Sequence, residues 1–164
     1  MGFIYKDFQT YGWGYFVVSL VVLIVIHDTW FYWTHRLMHL PKFYKWTHSV
    51  HHKSTNPTPF SSFSMDWTEL LIEFGIFPLL PFLLPLNPLA ISAFAFLAFL
   101  FNIIGHLGYE IFPEWLLKSK VGGWINSSTK HNIHHARFNY NYGYYFTFWD
   151  RIMNTSYKIE NYEK

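Results

Sequence analysis

The sequence predicts an all-α integral membrane protein, in which about three membrane-spanning helices carry a cytosolic helical cap that holds a histidine-rich dinuclear metal site. Three observations point there. The chain is 51% hydrophobic and 23% aromatic but only 13% charged, roughly half the charged fraction of an average soluble domain. Apolar runs long enough to cross a bilayer stand near the amino terminus and in the middle. Of ten histidines in 164 residues, eight fall into three boxes at helical spacing: His35 and His39; His48, His51 and His52; and His131, His134 and His135.

In chain order, residues 1 to 12 are aromatic and weakly charged, and have neither the basic start nor the small-residue cleavage site of a signal peptide. They read as an interfacial lead-in. From Trp13 to Ile26 every side chain is apolar, aromatic or small, and the following DTWFYW extends the stretch to the ~20 residues a spanning helix needs. The first membrane segment is therefore placed at about 13–33. Its helix is expected to run on far enough to carry His35 and His39. Pro41 should end it, since proline lacks an amide hydrogen and clashes with the preceding turn. A short helix over about 42–53 then carries the second box.

KSTNPTPFSSFS, rich in Pro, Ser, Thr and Asn, reads as a loop. The chain is apolar again from Trp67 to His106, divided by Pro78, Pro81, Pro85 and Pro88, and Asn87-Pro88 marks a turn. The prediction is a hairpin of two membrane segments, about 67–86 and 88–105. A hairpin returns to the side it left, so the histidine boxes at 35–52 and 131–135 share one side of the bilayer. Eleven of twelve Lys and Arg, all but Lys6, lie in the histidine-bearing segments. The positive-inside rule makes that side cytosolic. Residues 110–164 hold no further spanning stretch and should cap the site, so that residues 1–164 form a single domain.

Composition also excludes. A net charge of +2 without a basic run gives no footprint for nucleic acid. Cysteine is absent, so a bound metal must use nitrogen and oxygen donors. Residues three and four apart on a helix share a face, and on that rule each box should point one way, with all three facing a common point. Eight imidazoles exceed what one ion needs, and imidazole suits iron, copper, nickel and zinc, so a pair of metal ions is the economical reading.

The remaining candidates are weighed singly. His27 has no partner at helical spacing and reads as structural, whereas His106, alone at the end of an apolar helix, reads as a hydrogen-bonded side chain or a further ligand. Asp28, two helical turns before His35, and Asp150, in FTFWDR, are candidate acceptors for ligand N–H groups, or else partners of Arg36 and Arg151. Glu110, four residues after His106, is a candidate carboxylate beside the metals or a solvated interfacial side chain. Trp30, Phe31, Tyr32 and Trp33 read as an aromatic belt at the membrane surface, with a lipid tunnel as the other reading.

With the three boxes in this order around a membrane hairpin, the chain resembles the fatty acid hydroxylase and sterol desaturase superfamily. The resemblance extends to DTWFYWTHRLMH, to the loop NPTPFSSFS and to HHARFNYNYGYYFTFWDRIMNT, and covers about residues 27 to 157. NPTPF and FNYNYG look closest to the sterol ring-B desaturase branch. The resemblance implies a membrane-bound, O₂-dependent di-iron oxidoreductase of lipid biosynthesis, a monooxygenase or desaturase acting on a sterol-like or fatty-acyl substrate. It implies His106 as a ninth ligand, and a cytochrome b-type or ferredoxin electron donor. Three departures stand out. Asn154 occupies a position where the family usually has glycine, Glu110 one where acyl-chain hydroxylases carry histidine, and an additional amino-terminal membrane hairpin of longer members is not in this sequence.

Chemistry agrees with that implication. Unactivated C–H bonds need a strong oxidant, which two irons generate from O₂ and two electrons and zinc cannot, although zinc can occupy such a site in purified protein. Hydroxylation and desaturation begin with the same hydrogen abstraction, and no residue type here separates them. The rivals are a membrane zinc hydrolase, for which the sequence lacks a His-Glu-x-x-His motif, and a non-catalytic, metal-stabilised membrane scaffold. A bacterial inner membrane and the endoplasmic reticulum fit equally, and the sequence leaves the oligomeric state open.

Overall fold

Helix α1 (Gly12–Met38) forms where 27 residues pass without a proline. At 1.5 Å per residue it is about 40 Å long, more than the ~30 Å hydrocarbon layer of a bilayer. His35 therefore stays on the helix and His39 caps it, as the sequence predicted. Pro41 is not what ends α1. The helix stops at Met38, with the His39 amide bonded to His35 O at 3.2 Å. Pro41 opens α2 (Pro41–Thr47) in its first turn, where a missing N–H costs nothing.

The expected helix over 42–53 is broken. His48 leaves helical geometry with φ −135, and a 3-10 turn, His51–Lys53, follows. Beyond a loop with one 3-10 turn at Ser61–Phe63, the membrane segment expected over 67–86 is likewise not one helix. It is α3 (Trp67–Phe74), a 3-10 turn (Phe77–Leu79) and α4 (Leu80–Leu83). Proline is the cause, because Pro78 and Pro81 each occupy the first turn of a new piece and neither can extend a helix from behind.

The broken arm still runs the length of α1. Near the histidine end Trp30 Nε1 donates to Ile72 O at 3.0 Å, and at the far end Tyr15 OH donates to Pro85 O at 2.9 Å. Tyr5 N donates to Leu86 O at 3.0 Å and Leu86 N to Phe3 O at 2.6 Å, which ties the lead-in to the same far end. There Asn87 accepts the Leu89 N–H at 2.9 Å and, with Pro88 in the first turn, starts α5 (Pro88–Gly105). Helix α5 returns along α1 and delivers His106 to the end that α1 reaches at His39. Among the described residues, 3–157 of this computed structural model, α1 and α5 are the helices long and apolar enough to cross a membrane.

Between these arms Leu23, Ile76, Leu80, Leu86 and Phe94 form the core. The outward faces stay apolar: Trp13, Val17, Val21 and Val25 on α1, and Leu89, Phe96 and Phe99 on α5, are exposed. Contiguous apolar exposure of this kind marks a surface that meets lipid or another chain.

The rest folds over the histidine end as α6 (Glu114–Leu117), a 3-10 turn (Gly122–Trp124), α7 (Ser128–Arg137) and α8 (Phe148–Ile152). Among the described residues there are two isolated β-bridges and no strand. Asn154, the departure noted above, has φ +55, a left-handed conformation that only glycine and asparagine or aspartate adopt readily. The sequence therefore replaces one tolerant residue with another.

Candidate metal centre

Nine histidines converge where α1, α5 and α7 meet, in two groups. His35, His39, His48, His52 and His134 place ring nitrogens within 4.8 Å of one another, and His51, His106, His131 and His135 do the same. The groups are not the boxes, so the expectation that each box faces one point is corrected. Partners four apart stay together (His35/His39, His48/His52, His131/His135), while His51 and His134, the middle histidine of each triplet, cross to the other group. On a helix of 3.6 residues per turn, consecutive positions differ in direction by ~100°. His134 and His135 therefore point apart from one short helix, and each triplet serves both groups.

Five of the ring nitrogens facing away from these groups are committed, whereas Nδ1 of His51 and His52 is buried without such a bond among the described residues. Nδ1 of His35 donates to Tyr142 O at 2.9 Å, His106 to Asn102 O at 2.7 Å, His134 to Tyr140 O at 2.7 Å and His135 to Ser54 O at 2.9 Å. A carbonyl can only accept, so each Nδ1 carries the proton and each Nε2 is left with a bare lone pair. His48 is set in the same way when Glu69 is ionised, its Nδ1 lying 2.7 Å from Glu69 Oε1. Its Nε2 then lies 2.9 Å from His35 Nε2 with no proton to share between them. Two acceptors at that distance repel unless a cation lies between them. His134 adds a third such lone pair to the first group, and His106 and His135 supply two to the second. The donor set fits a metal ion in each group.

Burial keeps these rings neutral. His39 is pushed down to about 2, first by burial and then by His35 and His135. His135 is pushed down to about 3 by burial and His106. For His48, His51, His131 and His134 burial, followed by the neighbouring imidazoles, holds the pKa well below the ordinary value. Neutral imidazole is the form that binds metal.

The carboxylates singled out in the sequence lie elsewhere. Asp28 Oδ1 accepts the N–H groups of Tyr145 at 2.8 Å and Phe146 at 3.1 Å, not an imidazole. Asp150 accepts from Tyr142 N and Gly143 N, both at 2.9 Å, and from Thr155 Oγ1 at 2.7 Å. Both carboxylates thus fix the 142–146 segment, and Asp150, through Tyr142 N and Gly143 N, positions the carbonyl that holds His35. Neither pairs with an arginine: Arg36 donates to Tyr32 OH at 3.1 Å and Arg151 to Thr147 Oγ1 at 3.1 Å. Glu110 accepts from Ile111 N and Phe112 N at 3.1 Å and from Thr129 N at 3.2 Å, which caps the start of α7. Burial pushes its pKa up, but hydrogen bonds from Ser127, Phe112 and Thr129 outweigh that and leave it below the ordinary range. His27 belongs to neither group; its Nδ1 lies 3.0 Å from Tyr145 OH, the structural part the sequence assigned it.

What sequence reasoning missed is Glu69. Its signal was available: Glu69 and Glu73 stand four apart in an arm that is otherwise apolar, and both are buried on α3. Beside the histidines lies a chamber of about 20 Å³ lined in part by His35, His48, His51 and Glu73. It adjoins a mostly apolar cavity of about 240 Å³, and Phe31, Met65, Glu73, Asn102 and Tyr144 line both. Phe31 thus belongs to a cavity wall and Trp33 to the exposed surface.

Comparison with known proteins adds an independent observation. The family model described as fatty acid hydroxylase matches residues 20–155. Human lathosterol oxidase is 33% identical over 91% of this chain and 49% of its own length. Delta(7)-sterol 5(6)-desaturases of Schizosaccharomyces pombe and Gibberella zeae are each 32% identical, over 93% and 90% of this chain and 48% and 44% of theirs. The chain spans about half the length of these relatives. No solved structure matches.

Proposed function

We propose a function on this ground: the chain belongs to the fatty acid hydroxylase family. It is a membrane-bound oxidoreductase that hydroxylates or desaturates a sterol-like or fatty-acyl lipid with O₂, its nine grouped histidines holding two iron ions. The observation that carries this reading is the pair of Nε2 lone pairs on His35 and His48, 2.9 Å apart with both Nδ1 atoms committed elsewhere. It is supported by the apolar cavity that opens onto the same histidines.

Iron held by these histidines would supply the oxidising chemistry that an unactivated C–H bond requires, with O₂ and two electrons from an external cytochrome b-type or ferredoxin donor. The protein does the rest. Tyr142, Asn102, Tyr140 and Ser54 hold four imidazoles by their carbonyls, which fixes the tautomer and aims each Nε2 inward. Glu69 does the same for His48 as a carboxylate, which makes that ring a stronger donor. The phenyl rings of the larger cavity take the lipid's apolar body and keep water away, while the narrow chamber admits little more than the reacting carbon. Helix α1, the broken arm and α5 cross the bilayer, and the histidine end lies on the cytosolic side.

Metal analysis of purified protein together with a lipid profile of expressing cells tests this. Iron near two per chain and a new hydroxylated or unsaturated lipid are expected. A stoichiometry near one, or full activity with zinc alone, would overturn the di-iron reading.

A further inference from the structure

We propose that Tyr32, Trp33 and Trp149 form a redox relay that carries oxidising equivalents from the histidine groups to the outer face of the protein when no lipid is bound. The inference rests on the oxidase reading above and adds to it a protective activity that the lipid reaction itself does not need.

The rings form an unbroken series. Tyr142 lies against the first histidine group, its centroid 5.6 Å from His35, 5.2 Å from His39 and 5.4 Å from His134. Tyr32 stands behind it at 6.1 Å, and behind Tyr32 come Trp33 at 5.4 Å and Trp149 at 6.1 Å, themselves 5.5 Å apart. Every step is a ring contact. Tyr32 is fully buried, whereas Trp33 is 43% exposed and lies in an apolar groove on the outside of α1 with Val25, Ile26, Thr29 and Leu37. One end of the series thus meets the candidate ligands, and the other meets the apolar surroundings of the protein.

Hydrogen bonds single out Tyr32 as the ring that can give up an electron. A phenol that loses an electron becomes a strong acid, and a buried cation is costly, so a buried tyrosine is oxidised readily only where a base takes its proton. Arg36 donates to Tyr32 OH at 3.1 Å, and a guanidinium cannot accept. With Asp150 ionised, Thr155 Oγ1 gives its single proton to Asp150 Oδ1 at 2.7 Å. The Tyr32 proton therefore points at Thr155 Oγ1, 3.0 Å away. A two-step path leads from the phenol to a buried carboxylate, which ring packing alone does not require.

In the relay step an electron leaves Tyr32 across the Tyr142 ring for the oxidised centre. The Tyr32 proton passes to Thr155 while Thr155 passes its own to Asp150. Trp33, directly or by way of Trp149, then returns an electron to Tyr32, and the protons move back along the same path. The Trp33 radical cation is reduced at the surface by a membrane-soluble phenol, which loses one electron and one proton to become a phenoxyl radical. Phenol and indole yield electrons only to strong oxidants, so the relay leaves the external donor's electrons alone and acts on an oxidant that has met no C–H bond.

The wiring is testable without metal. The sequence has no cysteine, so Leu37→Cys, at an exposed position about one turn beyond Trp33, takes a single ruthenium polypyridyl photo-oxidant on the full chain in micelles. After a flash with an electron acceptor present, a tyrosyl radical should appear in electron paramagnetic resonance and transient absorption. In that background Tyr32→Phe, Trp33→Phe and Thr155→Val should each lose the radical, and Thr155→Ser, which keeps the hydroxyl, should retain it. No tyrosyl radical, or one that survives in Tyr32→Phe, overturns the proposal. If Tyr32→Phe fails to fold, the Thr155 pair decides: a radical with Ser and none with Val supports the relay, and equal radicals overturn it. In iron-loaded protein given hydrogen peroxide without lipid, peptide mass spectrometry should find oxidised Trp33, less of it in Tyr32→Phe; equal oxidation in the two would overturn the protective role. A flash-generated radical at Tyr32 in protein that oxidises no lipid would count against the oxidase reading and supports the wiring.

Discussion

His48 stands between Glu69 and His35, with Nδ1 2.7 Å from the carboxylate and Nε2 2.9 Å from the neighbouring imidazole nitrogen. One ring thus links a buried carboxyl group to the place where a cation fits. Removing the carboxylate should weaken the first histidine group without touching its nitrogens. Glu69→Leu is expected to lower metal affinity about 10–100-fold, the usual cost of losing an outer hydrogen-bond partner of a ligand. Metal retained against a graded series of chelator concentrations measures it. A chelator profile identical to that of the unaltered protein would remove Glu69 from the site.

Asn154 makes a backbone prediction. With φ +55, Asn154→Gly should change the unfolding temperature little, whereas Asn154→Val should lower it, since a β-branched residue in the left-handed region costs roughly 1–2 kcal/mol or more. Thermal unfolding in micelles compares the two variants. Equal midpoints would mean that the 153–155 turn is not held in this conformation.

Glu110 makes a pH prediction. Its carboxylate is held below the ordinary range by hydrogen bonds at the start of α7. A depressed folded-state pKa contributes stability above the unfolded pKa, ~4.3, and loses it as pH falls through the folded value. Glu110→Gln should therefore lower the unfolding temperature at pH 7, and the gap should close as pH drops below about 4. A gap that persists into acid would assign the effect to packing.

The path of the chain predicts its topology. Tyr15 meets Pro85 and Trp30 meets Ile72, so the arm from α3 to α4 covers the same depth as α1 although prolines divide it. If the arm crosses with α1 and α5 there are three crossings, and reporters fused at residues 2 and 164 should lie on opposite sides of the membrane. Matching answers would mean that the broken arm dips into the bilayer and does not cross it.

Much of this was legible in the sequence because it is written in periods. An unbroken apolar run gives α1, Asn87-Pro88 gives the turn before α5, and spacings of three and four give the histidines. What was not legible depends on where a helix stops. Nothing local says that α2 ends at Thr47 and not at Lys53, and that break redirects His48 toward Glu69, 21 residues away. Likewise Asp28 and Asp150 carry the right charge near the right residues, but backbone amides of the 142–146 segment, brought in by the tertiary fold, claim them first.

The division of each triplet between the groups gives the sharpest prediction. If boxes were the binding units, His131, His134 and His135 would serve one ion, and alanine at any of them would affect that ion alone. The geometry says otherwise: His134 Nε2 lies 3.0 Å from His52 Nε2, while His131 Nε2 lies 3.0 Å from His106 Nε2. His134→Ala should therefore resemble His39→Ala, and His131→Ala should resemble His106→Ala, in how tightly each of two metals is held. Stepwise chelation followed by elemental analysis separates them. The first pair should lose one ion early and keep the second, and the other pair should lose the opposite ion, with distinct spectra for the ion that remains. His27→Ala, outside both groups, should keep both ions. If His131→Ala and His134→Ala leave the same residual ion, the division into five and four seen here is wrong and the boxes are the units after all.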